Sequence, residues 1–242
     1  MRNLKVLALA AAVITLTACG GGGGAALAVA NVSSEGFWTG VSSSGVTVNV
    51  AILENGETWG VYTQGNTLVG AVYGTSSSSG NAVSGSGQEF DLGTRKVTAG
   101  TYSGTVSAKT SISLATSGGA KFTGTYNAAY DTAASLASLA GSYTGFGVTG
   151  ATASQSTPVT ISASGAVTAT GVGCTAAGTA TPRASGKNIF DLSITFTGAS
   201  CALGSGTVAK GVAYFDAPNK QILAMALNPA KTDGFIYVGT RP

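Results

Sequence analysis

From Phe37 to Thr240 the chain is a run of short segments in which apolar and polar residues alternate, each closed by glycine, asparagine or serine. A period of two is the signature of strands with one buried face, and turn residues at such short intervals leave no room for long helices. Val46, Val48, Val50 and Ile52 fall on one face, with Thr47, Asn49 and Ala51 on the other. Glu54-Asn55-Gly56-Glu57 then supplies a hairpin turn in which glycine takes positive φ. The same reading predicts strands over 37–42, 46–53, 58–63, 67–75, 82–91, 99–108, 111–116 and 121–127 in the first half. In the second half it predicts 142–148, 159–163, 166–172, 174–181, 189–197, 206–215, 221–228 and 234–240. Ser76 to Gly80 reads as a loop, and Asp216 to Lys220 as a turn that keeps Pro218 out of a ladder. Phe190, Leu192, Ile194 and Phe196 form the clearest buried face.

The halves resemble one another. Gly36-Phe37-Trp38-Thr39-Gly40 matches Gly141-Ser142-Tyr143-Thr144-Gly145, and the turn at Asn55-Gly56 has a counterpart at Ser164-Gly165. Between the halves, Thr132 to Ala140 is the one helix candidate, with Asp131 or Thr132 as N-cap, Leu136, Leu139 and Ala140 on one face, and Gly141 as the stop. Such a helix suits the cover of an open barrel end or of an edge strand. The fold expected is all-β: two small antiparallel up-and-down β-barrels of about eight strands each, joined by a short connecting helix, because closure removes exposed strand edges. A two-sheet sandwich is the alternative, and the same pattern serves a filled or a hollow barrel.

The N-terminus carries an address. Arg2 and Lys5 precede the apolar run Val6 to Leu16, which ends in Leu16-Thr17-Ala18-Cys19. This has the anatomy of a secretory signal. The chain is expected to divide into a signal peptide (1–18), Cys19 with a glycine-rich tether (19–32), an N-terminal barrel (33–130), a helical connector (131–141) and a C-terminal barrel (142–242). Removal of the signal leaves ten basic against nine acidic side chains, so no nucleic-acid footprint is expected. If Cys19 is acylated, Cys174 and Cys201 remain as a disulfide pair closing a loop of about 27 residues.

Catalytic groups are scarce. The chain has no histidine, which removes the commonest general base and most zinc and copper sites, so neither metal nor cofactor is expected. Glu54 and Glu57 are the closest carboxylate pair, but they flank a turn beside solvent, where such charges ordinarily serve solubility. Gly145-Phe146-Gly147-Val148-Thr149-Gly150 matches a dinucleotide fingerprint literally yet lacks the helix that the fingerprint requires. Trp38, Trp59, Tyr62 and Tyr73 concentrate aromatic surface in the first half, whereas the second is richer in Ala, Gly and Thr. Either these rings fill the first barrel, or outward-facing ones are ligand contacts for a protein or glycan partner.

The Leu16–Cys19 motif resembles the processing site of bacterial lipoproteins, which implies diacylglycerol on Cys19, and Gly20 in the next position implies the outer membrane. Lipobox, polyglycine tether and small barrels together resemble surface lipoproteins of the transferrin-binding-protein and factor-H-binding-protein type. Asp131 to Ala137, Gly173-Cys174, Gly211 to Tyr214 and Thr232 to Phe235 are similar to a group of proteobacterial lipoproteins, a resemblance that brings no activity with it. The expectation is a non-catalytic binding or interaction module held at the outer membrane by its lipid. An envelope structural lipoprotein and a lipocalin-like carrier of a small apolar ligand are the alternatives.

Overall fold

The computed structural model of the chain describes residues 32–65 and 67–242. The signal segment, Cys19 and the tether as far as residue 31 lie outside the described residues. Eight strands, β1 (Gly36–Ser42), β2 (Thr47–Ile52), β3 (Glu57–Gln64), β4 (Thr67–Ser79), β5 (Ala82–Asp91), β6 (Lys96–Ser107), β7 (Ser111–Thr116) and β8 (Lys121–Tyr126), pair antiparallel in chain order. They close into a barrel through β1 against β8. A second barrel follows from β9 (Gly141–Thr149), β10 (Gln155–Ser156), β11 (Val159–Ile161), β12 (Ala166–Gly171), β13 (Cys174–Pro182), β14 (Ile189–Thr197), β15 (Val208–Asp216), β16 (Gln221–Leu227) and β17 (Gly234–Thr240). It closes through β9 against β17.

β10 and β11 act as one strand, because both lie on β9 in a single register, Gln155 opposite Gly147 and Val159 opposite Tyr143. Pro158 has no N–H to give, and Thr157 carries the ladder across the gap by donating to the Gly145 carbonyl. Each barrel thus has eight strands, as the alternation predicts. Ser76 to Ser79 differ from expectation. Read as a loop from composition, they extend β4, since Ser76 lies opposite Gly85 and Ser79 opposite Ala82, with Gly80 at φ +57° beside Asn81 in the turn. Serine has little strand preference of its own, and the neighbouring strand decides.

The connector also departs from the prediction. A 3₁₀ turn at Ala128–Asp131, capped by the Asn127 side chain, precedes a non-helical stretch and then a single helical turn, α1 (Leu136–Leu139). Ala134 gives its N–H to the Lys187 carbonyl of the second barrel, so this backbone is bonded to a loop rather than to a helix. α1 still does the work foreseen for it. Leu139 is fully buried against Tyr143, Phe190 and Phe215, with Leu136 beside it, and together they plug one end of the second barrel.

The likeness of the halves reaches individual hydrogen bonds. Trp38 Nε1 donates to the Ser34 carbonyl and Tyr143 Oη to the Leu139 carbonyl, each four residues back and each from inside its barrel. Gly56 and Gly165 both sit at φ +83°, where a side chain is strained, and their carbonyls accept from Ser76 and Ala180 respectively.

The first barrel is filled by Trp38, Val50, Ile52, Val83, Val106 and Ile112, with Tyr62, Phe122 and Tyr126 packed on them. Tyr102 lies across Gly85, where any Cβ would collide with its ring, and bonds the Thr75 carbonyl and Ser76 Oγ, each at 2.9 Å. Outward residues of the first barrel build a different core. Leu53, Trp59, Val61 and Phe90 meet Val212, Tyr214, Met225 and Leu227 of the second barrel in one buried cluster. Phe37 stacks on Tyr214 at 3.9 Å, and Trp59 tilts against Tyr73 at 4.5 Å. The strands that meet here are buried on both faces, which locks the barrels side by side.

Charges clamp the rim of this seam. Arg183 of the second barrel bonds Glu54 at 2.9 Å and Asp191 at 2.6 Å, while Asp131 in the connector takes Lys109 at 2.8 Å and Lys187 at 2.7 Å. Those two lysines hold the Asp131 carboxyl down to about 2, below its ordinary 3.8. A lowered folded-state value means that the clamp contributes stability above the ordinary value and loses it as pH falls towards 2. Asp131→Asn is therefore expected to flatten the pH dependence of stability below about pH 4, measured by denaturation at stepped pH. The shared core makes a second expectation: one cooperative unfolding transition for both barrels, with Trp59→Ala lowering it by about 3–5 kcal/mol. Two separate transitions, or loss from the first barrel alone, would contradict the seam.

Candidate functional site

The second barrel is hollow over half of its length. At the α1 end, Tyr143, Phe190, Phe215 and Ile222 meet and close the bore, with Tyr143 and Phe215 edge to face at 6.4 Å. Beyond them lies a cavity of about 580 Å³, within the range of small-molecule sites, roughly 300–1,000 Å³. The reason is in β12 and β13. Their inward positions over this stretch are Val167, Ala169, Gly171, Cys174 and Ala176, none large enough to reach the opposite wall. Val167, Ala169, Cys174 and Ala176 remain only half-buried and Gly171 is exposed, because the space they face is unfilled. Across the cavity stand Ile194 and Phe196 of β14, Ala224 of β16, and Phe235 and Tyr237 of β17, with Phe196 and Phe235 edge to face at 5.7 Å.

Among the described residues nothing charged lines this space. Tyr237 is the only phenol in its wall; burial, with Tyr143 nearby, pushes it up to about 12, so it is neutral, and its hydroxyl donates to the Thr157 carbonyl at 3.2 Å. Of the remaining polar side chains, Thr157 gives its hydroxyl to the Gln155 carbonyl at 3.1 Å, and Thr149, Thr152, Gln155 and Ser200 stand where the cavity opens. The mouth is framed by the β9–β10, β12–β13 and β14–β15 connections, which contain no charged residue. The β16–β17 connection has two charges, both engaged elsewhere. Lys231 bonds Tyr73 Oη at 2.6 Å, and Asp233 accepts from the Gly150 and Gly234 N–H groups.

Cys174 and Cys201 form the disulfide expected of them. Its position gives it a role at the mouth. Cys201 lies in the β14–β15 connection, a flap that places Ser200, Ala202 and Leu203 on the cavity. The flap folds on itself through Gly198 N–H to Ser205 Oγ and Thr207 Oγ1 to the Leu203 carbonyl. Towards the β12–β13 turn it makes one backbone bond, from Ser200 N–H to the Gly173 carbonyl at 3.2 Å, besides the disulfide.

The four rings singled out from the sequence are not brought together into one site. Trp38 is wholly buried inside the first barrel, and Tyr62 packs on the same core, its phenol pushed upward by burial and then by Glu89. Trp59 and Tyr73 face outward from that barrel, but into the seam. Glu54 and Glu57 are likewise separated in role: Glu54 is held by Arg183, whose hydrogen bond and charge outweigh an upward push from partial burial and leave its carboxyl below the usual value. Among the described residues no three His, Cys, Asp or Glu side chains cluster to hold a metal. Alternation leaves open whether this barrel is filled or hollow. The signal of the cavity is the inward series Val167-Ala169-Gly171 and Cys174-Ala176 on adjacent strands, set against the Trp and Tyr residues of the first barrel.

These features define a closed eight-stranded barrel with an apolar, disulfide-flapped cavity, beside a second barrel that is filled. No family model, curated protein or solved structure matches the chain.

Replacing both cysteines by serine is expected to cost roughly 3 kcal/mol in denaturant unfolding and to raise hydrogen exchange in 198–206 well above that of β14. Unchanged exchange there would mean that the flap is held by its own turns.

Proposed function

We propose that the protein is a non-catalytic envelope lipoprotein, anchored in the outer membrane through an acylated Cys19, whose C-terminal barrel holds a small apolar ligand. The cavity of about 580 Å³ between β12–β13 and β14–β17 carries this reading. With no carboxylate, lysine or histidine among the described residues of its wall, it offers binding but no proton transfer. Val32, where the tether meets the fold, donates its N–H to Gly80 at the connector end of the first barrel. The mouth lies at the other end of the paired barrels. Rings committed to a filled barrel and a buried seam lend less support to a docking role for the first barrel.

The test is a titration with the neutral fluorophore N-phenyl-1-naphthylamine, using the chain with Cys19→Ala to keep it off lipid. Saturable binding at one site is expected, and Ala176→Trp, which puts a large ring into the cavity, is expected to weaken it by more than about tenfold, or ~1.4 kcal/mol, with the melting temperature kept. No saturable binding, or binding indifferent to Ala176→Trp, would defeat the proposal. Incorporation of labelled palmitate that disappears with Cys19→Ala tests the anchor separately.

A further inference from the structure

Resting on that reading of the cavity, we infer that its ligand is an uncharged amphiphile: one hydrocarbon chain, taken up tail first, with a hydroxyl, ester or amide head left among the polar groups of the mouth. The distribution of polarity carries the inference. Deep in the cavity the wall is apolar, formed by Val159, Ile161, Leu192, Ile194, Ile222 and Ala224. Tyr237 and Thr157 are the exceptions, and both hydroxyls are already spent, Tyr237 on the Thr157 carbonyl and Thr157 on the Gln155 carbonyl. A polar head placed there would lose its water and gain no partner, at a cost of roughly 1–3 kcal/mol for a neutral group and far more for an ion.

At the mouth the situation reverses. Thr149 and Thr152 hydroxyls lie 2.9 Å apart, so that one of the pair can turn to a ligand, and the Gln155 amide and Ser200 hydroxyl stand beside them. All four are neutral, and each side chain both donates and accepts, which suits a hydroxyl, ester or amide. A carboxylate or phosphate head would find no cation to meet it, since the three connections framing the mouth have none and Lys231 of the fourth is turned to Tyr73. The opposite end shows what this fold does with charge when it keeps it: Arg183, Lys187, Lys220 and Arg241 all lie there, across the plug of Leu139 and Phe215.

The rim is built to pass a chain rather than a head. Val172, at the apex of the β12–β13 turn, is 94% exposed, the most exposed of the large apolar side chains among the described residues. It stands beside Ala202 and Leu203 of the flap on the border of the cavity. An apolar side chain in water at a cavity mouth gives an arriving hydrocarbon its first contact, and the flap then covers the chain once it is inside.

The experiment uses the whole lipidated protein in isolated membranes and two photoreactive probes of equal chain length with a diazirine near the tail, a long-chain alcohol and the corresponding fatty acid. Cross-links are mapped by mass spectrometry, each normalised to the amount of that probe in the membrane. At pH 8 the alcohol is expected to label peptides of β14, β16 and the flap at least about tenfold more than the acid, a difference of ~1.4 kcal/mol. Lowering the pH so that the acid is protonated is expected to close the gap. Gln155→Lys, an exposed position, is expected to raise labelling by the acid at pH 8 without disturbing the fold. Equal labelling by alcohol and acid at pH 8, unaffected by Gln155→Lys, would overturn the uncharged class and leave the cavity reading standing. Absence of both probes from the C-terminal barrel would overturn both readings.

Discussion

Phe37 and Tyr214 stack at 3.9 Å where the two barrels touch, and the apolar cluster around them determines what every neighbouring strand must look like. An isolated small barrel needs apolar residues on its inner face alone. Here β2, β3, β15 and β16 need them on both: Val50 and Ile52 turn inward while Ala51 and Leu53 turn to the partner barrel, and Ala224 turns inward while Met225 turns out. Burial of each large side chain in such a seam contributes about 1.5–3 kcal/mol. The seam is therefore a third core, and it allows a barrel with a half-empty bore to remain ordered. The wall that faces the cavity on β16, at Ala224, is braced from behind by Met225, which sits in the seam.

The two barrels divide labour through the size of their inward side chains. Trp38, Tyr62 and Tyr102 occupy the bore of the first, and glycines such as Gly85 make room for rings rather than for ligand. In the second, the large residues are concentrated at the α1 end, and alanine and glycine take over on β12 and β13 towards the mouth. Close packing would ordinarily favour filling such a space, because unfilled apolar volume forfeits dispersion contacts. A cavity kept open in one of two related barrels is thus a departure from the stable default, and departures of this kind gather at functional sites.

Much of this was legible in the sequence, for a physical reason: alternation reports which face is buried. It placed sixteen strands, the hairpin turns at Gly56 and Gly165, and the inward face Phe190, Leu192, Ile194 and Phe196. Alternation cannot say what lies outside a barrel. Trp59 and Val61 alternate with Tyr62 along β3, yet only the second barrel explains why the outward pair is apolar. Composition misled where a neighbour overrode it, as in Ser76 to Ser79, which β5 holds in a strand, and in 132–135, whose Ala134 N–H is bonded to Lys187. The disulfide could be inferred by counting, but its place on a flap over a cavity required the register of β12, β13 and β14.

The central claim is that the C-terminal barrel is hollow and takes up apolar matter while its neighbour does not. Its most direct test is a crystal structure of the protein soaked with an iodinated alkane, read by anomalous scattering. The account requires iodine between Phe196, Phe235 and Leu203, under the flap, and none inside the barrel built on Trp38. A bore collapsed onto itself, or iodine confined to the seam between the barrels, would contradict it.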